Sequence, residues 1–296
     1  MTSSSSTRRF APAKINLFLH VGDKRADGYH ELLSLAVFAD VGDWLSAKPA
    51  DRLSLRLAGP FAGALSGEAD NLVLKAARAL SAWAAQRGIE VPGVDLTLEK
   101  NLPIASGMGG GSSDAAAALL LLAPFWALPV GSDEIGKLGL SLGADVPVCL
   151  GAQPAFMSGI GEVLNPAPGL PPFSLVLVTP GVSIPTARIF KSLRARTGVV
   201  APKPFAGGTA HDFAWWLDRS INDLAAPATE IAPVITRVEA AIVATQGCLL
   251  ARMSGSGATC FGLYATEEEA AAAAATLAPA HPDWWVKIAR TYVRDQ

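Results

Sequence analysis

A chain of 296 residues, 50% hydrophobic and 17% charged, is long enough for about two domains that each bury a core. A net charge of −2 with no lysine/arginine run gives no basic patch for nucleic acid. The longest apolar stretch, Ala115 to Val130, is interrupted by Pro124 and Pro129 and is too short for a membrane span. Cys149, Cys248 and Cys260 are too few and too widely spaced for a zinc pattern or a disulfide framework; Cys149 and Cys260 lie in apolar, strand-like runs and read as small core side chains.

The N-terminal MTSSSSTRRF lacks the apolar core of a signal peptide and reads as a loose tail over residues 1–9, in a chain expected to be soluble and cytoplasmic. Lys14 to Val21 alternates as a strand, with Ile15, Leu17, Leu19 and Val21 on one face and Lys14, Asn16, Phe18 and His20 on the other. Arg52 to Leu57 and Val94 to Glu99 alternate in the same way, and Asp70 to Arg87 reads as an amphipathic helix capped by Asp70 or Asn71. An Ala/Leu-rich helix starts near Ser112, and a shorter one near Asp133 to Leu142 is ended by Gly143, with Asp145 just beyond. Pro166 to Pro172 (PAPGLPP) marks a boundary between a domain over 10–165 and another over 173–296. In the second, Phe173 to Thr179 is a buried strand, followed by helices near Thr186 to Arg196, Asp212 to Arg219 and Thr229 to Thr245. Strands Cys248 to Met253 and Thr259 to Tyr264 flank a GSG turn, and a helix over Glu267 to Leu277 leads to a last strand near Trp284 to Ala289. Apart from the Trp-rich helix this order is β-α-β-β-α-β, the split ferredoxin-like arrangement.

Leu102 to Ala118, LPIASGMGGGSSDAAAA, carries the strongest chemical signal. Gly107, Gly109, Gly110 and Gly111 let backbone N–H groups approach a ligand, and the helix that follows aims its unpaired N–H groups and positive dipole end into the loop. That combination suits an anion, most often phosphate. No lysine follows the glycines, so this is not a P-loop, and Ser112 stands where G-x-G-x-x-G needs its third glycine. A flexible loop with serine caps before a core helix is the alternative.

Three segments, PAKINLFLHVGDKRADGYHEL (Pro12 to Leu32), PIASGMGGGSSDAAAAL (Pro103 to Leu119) and RMSGSGATCFGLY (Arg252 to Tyr264), stand in an order and spacing that resemble the GHMP kinases. The resemblance implies an α+β fold of two domains: an N-terminal mixed α/β domain like domain 2 of ribosomal protein S5, and a C-terminal ferredoxin-like domain. It also implies ATP as co-substrate with Mg²⁺, and phosphoryl transfer to a small-molecule alcohol. The first segment, with LGADVPV (Leu142 to Val148) and PGVSIPTARIF (Pro180 to Phe190), points within the family to the C2 hydroxyl of 4-diphosphocytidyl-2-C-methyl-D-erythritol, an intermediate of non-mevalonate isoprenoid synthesis. Lys14 and Asp145 fall on the family's catalytic pair. Pro103, Ile104, Ala105, Ser106, Gly107, Met108, Gly109, Gly110, Gly111, Ser112 and Ser113 fall on its ATP-phosphate loop, and Asn16, Tyr29, His30, Thr186 and Phe190 on the cytidyl side.

The chemistry agrees with these roles. A tertiary alcohol is a poor nucleophile, so a carboxylate within reach can take its proton as the phosphoryl group moves, and a lysine can offset the charge on that group. Tyr29 can stack on a pyrimidine while His30 bonds its edge. The Gly255-Ser256-Gly257 loop either borders the substrate phosphates or is a simple hairpin turn. Ala36 falls where relatives often carry a bulky aromatic in the cytidine pocket, so stacking there either comes from Phe38 or is weaker. No carboxylate stands out as a magnesium ligand, and Ser113 is the nearest by analogy. A related kinase for a mevalonate- or homoserine-like alcohol, or a silent nucleotide-binding protein on the same fold, are the competing readings.

Overall fold

The computed structural model describes residues 7–64, 71–194 and 196–294. In chain order the elements are β1 (Thr7–Lys24), β2 (His30–Ala50), β3 (Ser54–Ala58), α1 (Leu72–Ala85), β4 (Gly93–Glu99), α2 (Gly110–Phe125), α3 (Ser132–Leu142), α4 (Val146–Gly151), β5 (Ala155–Ser158) and β6 (Val163–Pro166). They continue with β7 (Ser174–Thr179), α5 (Thr186–Ser192), α6 (Ala210–Leu217), α7 (Ala225–Ile231), α8 (Val234–Val243), β8 (Leu250–Met253), β9 (Cys260–Tyr264), α9 (Glu267–Ala280) and β10 (Trp285–Tyr292). The chain packs into two units, each assembled from separate segments: one from residues up to 13, 41–104 and 110–151, the other from 14–40, 105–109 and 152 onward. The proline-rich stretch 166–172 lies within the second of these.

In the first unit, residues 44–50 of β2 pair antiparallel with β4, and β3 pairs parallel with β4. The alternation of β4 puts Val94, Leu96 and Leu98 inside. Asn71, rather than Asp70 (which lies outside the described residues), caps α1, its side chain accepting the Val73 N–H at 2.9 Å. Helix α1 buries Val73, Leu74, Ala77, Leu80 and Ala84 along one face. Helix α2 has no polar side in its middle, and Ala115 to Leu119, Leu121 and Leu122 are all buried. A helix apolar all round is a core helix, and α1, α3 and α4 pack about it.

In the second unit, β10, β7, β9 and β8 are neighbours in that order and all pairs are antiparallel. Numbered within the β-α-β-β-α-β run, this is the order 4-1-3-2 of a ferredoxin-like sheet, as expected. Helices α8 and α9 cover it: Ile235, Val238, Ile242, Ala270, Ala273 and Leu277 bury against Val176, Val178, Met253 and Cys260. A capping box, Thr266 with Glu269, starts the alanine-rich α9.

Four sequence expectations are corrected. The helix expected over Thr229 to Thr245 is two, because Pro233 lacks an N–H and pushes Ala232 out of the helical region, to φ −133° and ψ 85°. Cys149 is buried in α4 rather than in a strand. Helix α2 begins at Gly110, two residues before Ser112. Thr7 to Arg9 of the expected tail belong to β1, while residues 1–6 lie outside the described residues. Among the described residues no helix is long and apolar enough to cross a membrane.

Candidate active site

Strand β1 is buried on both faces through its middle. Ile15, Leu17, Leu19 and Val21 are core, and the opposite face carries Lys14, Asn16, Phe18 and His20, each less than 5% exposed. Burying polar side chains there requires partners, and Asn16 finds one on β2, while the surrounding loops engage the backbone of the strand. The Lys14 N–H donates to the Met108 carbonyl at 2.9 Å, and the Asn16 N–H donates to Ser254 Oγ at 3.0 Å. Asn16 Nδ2 donates to Ser34 Oγ at 2.7 Å, and Ser34 Oγ in turn donates to the Phe18 carbonyl at 2.6 Å.

The first half of the glycine loop, Ala105 to Gly109, belongs to the same unit as this strand. Ser254 Oγ donates to the Gly107 carbonyl at 3.0 Å, and the Thr259 N–H donates to the Ser106 carbonyl at 3.0 Å. Gly107 and Gly109 have φ of +81° and +62°. A Cβ on Gly107 would lie 2.7 Å from the Gly257 nitrogen; one on Gly109 would lie 3.1 and 3.2 Å from Cβ and Cε of Lys14. Both positions therefore need glycine on conformational and steric grounds. The GSG turn is no isolated hairpin: it interlocks with the glycine loop. Asn222 holds it from the other side, its Nδ2 donating at 2.8 Å to both the Met253 and Gly255 carbonyls. Arg252, buried, donates to the Leu17 carbonyl at 2.8 Å, and burial pulls its pKa down to about 10.

The residues expected on the cytidyl side fall in the same unit. His30 stacks on Phe190 with ring centroids 5.7 Å apart, and its Nδ1 lies 3.2 Å from the Gly22 carbonyl, so that nitrogen is the donor. Thr186 and Ser256 share a hydroxyl–hydroxyl bond of 2.7 Å. Tyr29 is 60% exposed on the turn between β1 and β2, its N–H bonded to Asp27 Oδ1 at 3.1 Å. Ala36 and Phe38 are both fully buried. Phe38 therefore has no exposed face to offer a base, so of the two alternatives the one that places stacking on Phe38 is corrected.

In the other unit, Gly110, Gly111, Ser112 and Ser113 form the first turn of α2, where backbone N–H groups have no intrahelical acceptor. Gly110 lacks a positive φ, and a Cβ there would make only ordinary contacts of 3.5 Å or more. Ser113 Oγ donates to the Pro12 carbonyl at 2.5 Å and is 1% exposed, so its hydroxyl is engaged with the protein. Among the described residues no group of three or more His, Cys, Asp or Glu could hold a metal ion. Asp145 is half-buried in the turn between α3 and α4, its carbonyl accepting the Cys149 N–H at 3.4 Å. A short helix, α4, follows it.

Sequence reasoning did not single out Ser254, Asn222 or a buried ionic cluster at Lys100. Lys100 Nζ donates to Asp43 and, at 2.7 Å, to Asp114 Oδ2; all three side chains are 5% exposed or less. The one signal is local: Lys100 and Asp114 stand just outside the two ends of the segment 103–113.

A glycine loop running into a buried helix, locked by a second glycine turn on a ferredoxin-like sheet, defines a class of small-molecule kinase. The GHMP kinases N terminal domain matches residues 71–157, and GHMP kinases C terminal matches residues 212–282. The chain belongs to the GHMP kinase family. Within it, the chain is 53% identical to the 4-diphosphocytidyl-2-C-methyl-D-erythritol kinase of Parvibaculum lavamentivorans, over 94% of this chain and 96% of that one. A crystal structure of 4-(cytidine 5'-diphospho)-2C-methyl-D-erythritol kinase is 34% identical, with a TM-score of 0.73 over 96% of this chain and 99% of that chain. Homoserine kinase from Cytophaga hutchinsonii, at 17% identity and a TM-score of 0.71 over 100% of this chain and 97% of that one, shares the fold alone.

Proposed function

We propose that this chain transfers the γ-phosphoryl group of ATP to the C2 hydroxyl of 4-diphosphocytidyl-2-C-methyl-D-erythritol, as a cytoplasmic enzyme of non-mevalonate isoprenoid synthesis. The observation that carries this reading is the identity of about half with kinases of that name over nearly the full chain. A mevalonate- or homoserine-type acceptor has only the shared fold in its favour. The two family matches, one on each side of 166–172, support a functional division into 10–165 and 173–296.

In this reading Pro103 to Ser113 receives the ATP phosphates, whose charge suits the free N–H groups and dipole end of α2. Asp145 accepts the proton of the C2 hydroxyl as that oxygen bonds to the γ-phosphorus and the bond to the departing ADP oxygen breaks. Lys14 offsets the charge on the moving group. On the acceptor side, the His30–Phe190 stack and exposed Tyr29 supply flat faces for a pyrimidine, and Asn16, Thr186 and Ser256 supply polar groups. Mg²⁺ accompanies ATP as its counter-ion. Among the described residues no group of three or more His, Cys, Asp or Glu could hold it, and the Ser113 hydroxyl is already committed to Pro12.

The deciding experiment is ADP release from ATP with a panel of alcohols. The cytidyl acceptor should be turned over with a kcat/KM at least about a hundredfold above mevalonate and homoserine, because a site built around polar partners rejects ligands that leave them unmatched. Equal use of the three, or none of the cytidyl acceptor, would remove the assignment.

A further inference from the structure

The buried cluster at Lys100 lies wholly within the first unit and touches both ends of the glycine segment. Asp43, on β2, is fully buried; its Oδ1 accepts the N–H of Asn101 at 2.6 Å and of Leu102 at 2.9 Å, where the chain leaves β4 and enters the loop. Asp114 sits on α2 one residue past Ser113, where the loop has become helix. The Lys100 ammonium ties the two carboxylates together. It also lies 3.5 Å from where a Cβ on Gly110 would stand, directly beside the first residue of α2.

Such a cluster is a costly way to fill a core. Fully ionised, two carboxylates and one ammonium would sum to one negative charge in a place closed to water, and an apolar trio of equal volume is often as stable or more so. Asp114 Oδ1 is buried and finds no hydrogen-bond partner among the described residues. Burial, opposed by Lys100 and reinforced by Asp43, pushes the Asp114 carboxyl up from its ordinary range. What the cluster supplies in return is geometry. One ammonium fixes the separation between the entrance of the loop and the helix turn that closes it, and so the spread of the backbone N–H groups that would face an anion.

We propose that Lys100, Asp43 and Asp114 form a positioning cluster that presets the nucleotide-phosphate loop, so that ATP affinity depends on their juxtaposition while acceptor recognition does not. The proposal rests on the reading of residues 103–113 as the ATP-phosphate loop.

The test is calorimetric titration of the full chain with the non-hydrolysable analogue Mg-AMPPNP, alongside Tm. Asp114→Leu cuts the tie to α2 and leaves a neutral Lys100–Asp43 pair; its Kd should rise roughly tenfold or more with the acceptor KM unchanged within about twofold. Asp114→Asn, which still offers an oxygen to Lys100, should restore most of the affinity. An Asp114→Leu protein with lowered Tm and a Kd within about twofold of wild type would show a cluster that only holds the fold, and would overturn the proposal. Should Asp114→Leu fail to fold, Asp43→Asn, which weakens the acceptor of the Asn101 and Leu102 amides, is read by the same criteria. Gly109→Val serves as the reference. If it alone weakens AMPPNP binding, the cluster has no positioning role; if it too binds normally, the loop is not the nucleotide site and the proposal falls with that reading.

Discussion

At the scale of single residues, the four glycines of the loop are not equivalent. Gly107 and Gly109 have positive φ and tight surroundings, backbone at Gly107 and the Lys14 side chain at Gly109, while Gly110 has neither constraint. Gly109→Val should therefore raise the ATP KM roughly tenfold or more, since a branched residue in the left-handed region carries strain of about 1–3 kcal/mol and would also press on Lys14. Gly110→Ala should stay within about threefold of wild type. Equal effects at the two positions would contradict this distinction. His20 gives a prediction of a different kind. The Ile221 N–H points at its Nε2 at 3.4 Å, which calls for a neutral ring, and burial holds its pKa below the ordinary 6.5 against the opposing charge of Asp223. Below pH 6.5 the unfolded chain takes up this proton more readily than the folded one, so stability falls as pH falls through that window. His20→Gln removes the titration, and its Tm should drop less than that of wild type between about pH 7.5 and about pH 5.5. A drop as large as that of wild type would assign the acid sensitivity elsewhere. The density of glycine was plain in the sequence. Which glycines are obligatory was not, because that depends on Lys14 and Gly257, far away in the chain.

At the scale of elements, most strands and helices were legible because their faces are segregated. Strand β4 alternates through Val94, Leu96 and Leu98, and α1 repeats its apolar residues at helical spacing behind an Asn cap. The interlock of the two glycine loops was not legible. Ser254 meets Asn16 across 238 residues and Gly107 across 147, and no local pattern encodes such pairings. This serine is fully buried and serves both as acceptor and as donor. Ser254→Ala would leave a buried N–H and a buried carbonyl without their partner, at about 1–3 kcal/mol for each. Because Ser254 Oγ ties the glycine loop to the strand that carries Asn16, its loss should raise the KM for ATP and for the acceptor together. Thr186→Val, which breaks only the bond to Ser256, should raise the acceptor KM alone. Steady-state kinetics with each substrate varied in turn separate the two. An effect of Ser254→Ala confined to one substrate would mean that the two loops move independently.

At the scale of the whole molecule, the β-α-β-β-α-β order was enough to anticipate a ferredoxin-like arrangement, which the sheet order 4-1-3-2 matches. The way the chain divides between packing units was hidden, since the long strands β1 and β2 each contribute residues to both. The buried ions of Lys100 were hidden too, because a lysine at a strand end ordinarily reaches water. The reaction proposed for the full chain makes its sharpest demand at Asp145. Asp145→Asn preserves shape and part of the hydrogen bonding but cannot accept a hydroxyl proton. Both ligands should still bind, and the rate of phosphoryl transfer should fall by roughly 10²–10⁴-fold, the range for loss of a general base. In a largely dissociative transfer little proton removal is needed early, and the carboxylate then serves more to aim the hydroxyl at the phosphorus. The two cases separate in the amide variant: an orienting group leaves part of the rate there, whereas loss of a base leaves little. Single-turnover measurement on folded, ligand-saturated protein reads the chemical step without product release. A transfer rate within about threefold of wild type would leave Asp145 no part in the chemistry, and the proton would have to go to another group.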